Sequence, residues 1–140
     1  MRRMVLGLAA VAALFAGAAA AEEAAFEPLP PLDLDSLDPD LADGMFGRWM
    51  IASEDGDRIC EVELLREPGI GGMQIDVDPG CAAVFPVMAD IAAWRLLEGW
   101  AIDLVDGERR ARIRFSTPDE RYVAFPQVDG IATIEPVPLD

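Results

Sequence analysis

From Gly44 onward, apolar and polar residues alternate with a period of two. Cys60, Val62 and Leu64 are separated by Glu61 and Glu63, and Met73, Ile75 and Val77 by Gln74 and Asp76. Trp100, Ile102 and Leu104 alternate with Ala101 and Asp103, and Ala111, Ile113 and Phe115 with Arg112 and Arg114. Successive side chains of a strand point to opposite faces. Each run therefore predicts a strand with one packed face and one wet face, as in antiparallel sheet. Phe46–Ala52, Ala92–Leu97, Arg121–Phe125 and Ile131–Glu135 are further strand candidates. Turn residues separate the runs, among them Glu54-Asp55-Gly56-Asp57, Asp78-Pro79-Gly80, Asp106-Gly107 and Asp129-Gly130. Short connections between all these strands predict an all-β fold, an eight-stranded antiparallel up-and-down β-barrel, because closure removes exposed edges. The segment Ala82–Asp90 breaks the alternation and is expected to form a helical turn plugging one end, with Pro86 limiting its length.

The chain before Gly44 has a different character. Met1-Arg2-Arg3 is a basic start, Met4–Ala16 is almost wholly apolar, and small residues run from Gly17 to Ala21 before Glu22-Glu23. That is the layout of a cleaved export signal, with cleavage sites after Ala19, Ala20 or Ala21, the last preferred. The apolar stretch is too short for a stable membrane span of ~20 residues. No cysteine lies near the cleavage site to accept a lipid. Residues 22–43 then carry Pro28, Pro30, Pro31 and Pro39, eight acidic residues and no basic one. Proline and clustered charge predict an extended, partly polyproline-like arm, with a short helical turn around Ser36–Leu41 that Ser36 would cap. The expected organisation is a signal peptide over 1–21, an acidic Pro-rich arm over 22–43 and one barrel domain over 44–140.

Charge narrows the partners. The net charge is −15 and becomes −17 once Arg2 and Arg3 leave with the signal. Such acidity favours solubility and argues against nucleic acid. All eleven basic residues are Arg. In an exported protein the two cysteines, Cys60 and Cys81, most simply form one disulfide, contributing about 3 kcal/mol by the chain-entropy model. Catalytic chemistry finds little support. Without His there is no Ser-His or Cys-His pair, and without Lys no Schiff base. Tyr122 reads as a packing residue. The pairs Asp76/Asp78 and Glu61/Glu63 alternate with apolar residues and read as solvent-facing, and no calcium-loop spacing occurs. The expectation is a protein that is not an enzyme and needs no cofactor or metal.

Gly47-Arg48-Trp49 at the opening strand suggests an indole closing the barrel floor where backbones approach closely. Gly-x-Trp also opens lipocalins, which take small apolar ligands. Here the short strands leave little interior volume, so Trp94 and Trp100 are expected in the core or at the barrel mouth. The ordered set is a Pro- and Leu-bearing arm, Gly47-x-Trp49, Cys60, Cys81 after a hairpin, Ala82–Asp90, Trp94, and Arg121-Tyr122 before Asp129-Gly130. Over roughly Leu41–Glu135 it resembles the bacterial serralysin (alkaline metalloprotease) inhibitors, a family that includes outer-membrane lipoproteins.

The resemblance implies an eight-stranded barrel with a Cys60–Cys81 disulfide and an N-terminal trunk that enters the cleft of a zinc metalloprotease, with the free terminal amine near the zinc. Ala21, Glu22, Glu23, Ala24, Ala25, Phe26, Leu29 and Leu32 would then face the protease. The arm is longer and more acidic than the family's trunk. The rival functions are an envelope interaction protein without inhibitory activity and a lipocalin-like ligand binder. Periplasmic or secreted location and a monomeric barrel complete the expectation.

Overall fold

The computed structural model describes residues 26–138; the expected export signal lies outside them. Eight strands form a closed barrel in which neighbours in sequence are neighbours in space: β1 (Gly47–Ser53), β2 (Ile59–Gly69), β3 (Gly72–Val77), β4 (Ile91–Leu97), β5 (Ala101–Asp106), β6 (Ala111–Ser116), β7 (Tyr122–Val128) and β8 (Ile131–Pro136). All pairings are antiparallel, and β8 returns to β1 through Ile51↔Ile134. Two short helices join them, α1 (Pro39–Asp43) and α2 (Cys81–Val84).

Alternation selects the inward set. Trp49 and Ile51, Cys60, Val62 and Leu64, Trp94 and Leu96, Ile102 and Leu104, and Ile113 and Phe115 fill one core. Trp94, Phe85, Phe115 and Met88 are among its fully buried side chains. Each such side chain contributes roughly 1.5–3 kcal/mol by leaving water.

The plug at one end forms as expected but in two pieces, α2 and a 3-10 turn over Pro86–Asp90. Arg58 holds it. Its Nη1 donates to the Val84 and Asp129 carbonyls at 3.0 Å each, and its guanidinium lies 5.0 Å from the Phe85 ring centre. The Cys60–Cys81 disulfide, with Cα atoms 5.1 Å apart, ties the plug to β2. The opposite end is closed by the chain entering β1. Trp49 Nε1 donates to the Met45 carbonyl at 3.1 Å, and Phe46 meets Trp94 edge-on at 5.8 Å.

Four expectations need correction. Trp100 is not a strand residue: it ends a 3-10 turn over Glu98–Trp100 at φ 66, half-buried. β5 has no wet face; every residue from Ala101 to Asp106 is buried, with Asp103 under the Arg114 guanidinium that also binds the arm and Asp106 wrapped by the Glu108 and Arg110 N–H groups and the Arg110 side chain. The helical turn before the barrel is capped by Asp38, whose side chain accepts from the Asp40 N–H, and not by Ser36. Gly47 serves conformation, not close approach. A Cβ there would meet nothing within 4 Å, but φ is +118, a region that favours glycine.

Candidate functional site

The arm is the part of the chain that no barrel needs, and its described portion is bound to the barrel wall. β3 pairs with β4 only at Met73↔Trp94 and Gln74↔Ala93, which leaves the last residues of β4 without a β3 partner. The arm takes that edge. Pro31 forms an antiparallel bridge with Leu97, the Leu32 N–H donates to the Leu96 carbonyl at 3.0 Å, and the Glu98 N–H donates to the Pro30 carbonyl at 2.8 Å. Proline is tolerated here because an edge position asks no second ladder bond of it.

Further toward the N-terminus the arm reaches β6. Arg114 donates from Nη1 to the Glu27 carbonyl at 2.7 Å, and its guanidinium lies 5.3 Å from the centre of the Phe26 ring. The same guanidinium forms a two-pronged bond to Asp103 on β5, Nε to Oδ1 at 2.7 Å and Nη2 to Oδ2 at 2.9 Å. Asp103 is 1% exposed and the Arg114 side chain 11%. Asp103 raises the Arg114 pKa above its ordinary value through these hydrogen bonds. Pairing with a carboxylate while donating to an arm carbonyl and lying beside an aromatic ring is a use for which the planar guanidinium of Arg is better suited than the Lys ammonium.

Phe26, Leu29, Leu32, Leu34 and Leu37 are half-buried while the acidic residues between them are exposed. Leu32 and Leu34 pack on the barrel core. Of the residues expected to face a partner, Leu32 and Phe26 therefore face the chain's own barrel. Ala21, Glu22, Glu23, Ala24 and Ala25 lie outside the described residues. Gly47, Trp49 and Trp94 are scaffold: Trp94 donates from Nε1 to the Leu65 carbonyl at 2.9 Å deep in the wall.

Arg114, Asp103 and Glu27 escaped the sequence reading. Both strands are legible in the sequence, but a register shift between Leu104 and Val105 hides the Asp103↔Arg114 pairing from any count along the hairpin. Phe125 was missed as well; at 86% exposure it is the most exposed large apolar side chain among the described residues.

Among the described residues, no group of three His, Cys, Asp or Glu side chains is placed to hold a metal, and no helix is long and apolar enough to cross a membrane. Asp106 is buried, which alone would raise its pKa. The Arg110 and Glu108 N–H groups and the Arg110 side chain outweigh that and hold it below the ordinary value. Burial pushes the Tyr122 hydroxyl up to about 12, and that hydroxyl donates to the Trp100 carbonyl at 2.6 Å. Both groups are structural.

The chain matches no curated protein and no solved structure. The family described as Protease inhibitor Inh matches residues 40–133, from α1 into β8, so the match contains both cysteines and stops short of the docked arm. On a closed eight-stranded barrel with this disulfide, a match of that extent means that the chain belongs to the protease inhibitor Inh family, whose members inhibit proteases and are not enzymes.

Proposed function

We propose that this protein is an exported inhibitor of a serralysin-like zinc metalloprotease, acting by occlusion of the active-site cleft. The observation that carries the reading is the family match across the barrel, joined to an arm held against that barrel. The likeness of Gly47-x-Trp49, Cys60, Cys81 and Trp94 to serralysin inhibitors supports a zinc enzyme as the target. The basic, apolar and small-residue order of residues 1–21 supports export and cleavage, and hence a periplasmic or secreted inhibitor.

Occlusion asks for a segment that is extended and already ordered, since chain held in place before binding loses less entropy on entering a cleft. Pro28, Pro30 and Pro31 supply part of that order and the barrel edge supplies the rest. The test is inhibition by the exported, processed protein of a panel of serralysin-like, other zinc and serine proteases. The reading expects stoichiometric, reversible inhibition confined to serralysin-like enzymes. Inhibition of serine proteases alone, or of none, would overturn it.

A further inference from the structure

One row of outward residues crosses five strands without a charge. Ile59 on β2 pairs with Ala52 on β1, Ala52 with Thr133 on β8, Thr133 with Val123 on β7, and Val123 with Ser116 on β6. All five are exposed or half-buried, so they lie on the outer face of the wall. Two of the large apolar side chains that stand exposed among the described residues belong to this band. Ile59, at one end, is 52% exposed, and Phe125, two residues beyond Val123, is 86% exposed. The register of β7 against β8 shifts between Val123 and Val128, which frees Phe125 from that ladder.

We propose that this band is the face by which the barrel docks on its protease, with Phe125 and Ile59 as its anchors. The inference rests on the inhibitor reading above and deepens it by naming the docking surface. An apolar band with a polar border is the usual mark of a protein-binding face, and a few exposed anchors carry most of the energy of such a contact. Three strand spacings, about 14 Å along the wall, separate Ile59 from Val123, enough for two separate anchors.

Three observations point to the protease as the occupant. Every residue of the band lies within residues 40–133, the part of the chain that matches a family of protease inhibitors. The neighbouring face is already taken, because the arm holds Arg114 on β6 through the Glu27 carbonyl and the Phe26 ring. Since β6 borders β7, arm and band lie side by side and can meet one partner together.

The border of the band excludes a second copy. Glu54, Asp55 and Asp57 stand exposed along one side, and Glu61 and Glu135 along the other. The nearby cations are committed, Arg48 to Glu61 and Arg58 to the plug carbonyls. Two such faces on chains of net charge −15 would repel. The band fits instead a protease surface whose apolar patch is bordered by basic side chains.

The test uses the processed protein, a serralysin-like protease, and three single variants at exposed apolar positions. Phe125→Ser and Ile59→Ser alter the band; Ile70→Ser, 54% exposed between β2 and β3, alters an open position away from it. All three should unfold within about 2 °C of the unaltered protein. Phe125→Ser is expected to raise the inhibition constant about tenfold or more, Ile59→Ser about threefold or more, and Ile70→Ser less than about twofold. Direct binding by calorimetry should follow the same order, and association should slow as salt rises.

If the unaltered protein inhibits and the two band variants inhibit as well as it does, the band is overturned and the inhibitor reading stands. If the unaltered protein neither binds nor inhibits the protease, the inhibitor reading fails and the band's assignment falls with it. A dimer of the unaltered protein, seen by analytical ultracentrifugation and abolished by Phe125→Ser, would assign the band to a second copy and overturn the proposal as well.

Discussion

The two sides of the barrel wall were built by the same rule and ended differently. On β5, inward Ile102 and Leu104 alternate with outward residues, yet Asp103 and Ala101 are as buried as the core. On β7, inward Tyr122 and Ala124 also alternate with outward residues, and there Phe125 stands 86% exposed. The difference is the arm, which lies over one side and not the other. Alternation in a strand reports which face packs inward. It says nothing of whether a distant segment covers the outward face.

Covered and uncovered positions should separate most sharply in aromatic truncation. Trp94→Ala removes a fully buried ring with a satisfied N–H and is expected to cost about 3–5 kcal/mol in denaturant unfolding. Phe125→Ala is expected to change stability by less than about 0.5 kcal/mol. A large loss at Phe125 would mean that its side of the barrel is covered after all.

The ion pairs should divide in the same way by a smaller margin. Arg114→Ala strands the buried Asp103 carboxylate and is expected to cost about 3 kcal/mol. Arg48→Ala breaks its pair with Glu61 on the open side, where the Arg side chain is 56% exposed, and should cost under about 1 kcal/mol. Similar losses at the two sites would remove the distinction between the sides.

The smallest effects are those of pH. Asp106 has its folded pKa depressed, so its contribution is fully present above the unfolded value of about 3.9 and is lost as pH falls through the folded one. Asp106→Asn should flatten the acid limb of stability against pH. Tyr122 runs the other way. Its folded pKa of about 12 exceeds the ordinary tyrosine value of about 10, so stability is full below pH 10 and declines from there to about 12. Tyr122→Phe should remove that alkaline limb, as followed by thermal unfolding across pH; an unaltered limb would show that another group titrates there.

The fold was readable because its signal is local. Cys60-Glu61-Val62-Glu63-Leu64 states its inward set within five residues, and Asp129-Gly130 states its turn within two, both at positive φ (55 and 84). The disulfide followed from two cysteines in a chain whose first residues read as an export signal. The site was far less readable because its contacts are long-range. Glu27 and Arg114 lie 87 residues apart. No spacing rule joins them, and the strand that carries Arg114 reads the same whether or not an arm crosses it. Trp100 misled for a different reason: its apolar side chain fits the alternation, but the φ of 66 that ends the turn is a backbone property.

The most direct measurement compares two processed forms against a serralysin-like protease, one beginning at the natural N-terminus and one beginning at Phe26. The account predicts that the shorter form unfolds within about 2 °C of the longer, since the barrel and the arm docked on it are intact, while its inhibition constant rises at least a hundredfold. Equal inhibition by the two forms would contradict it.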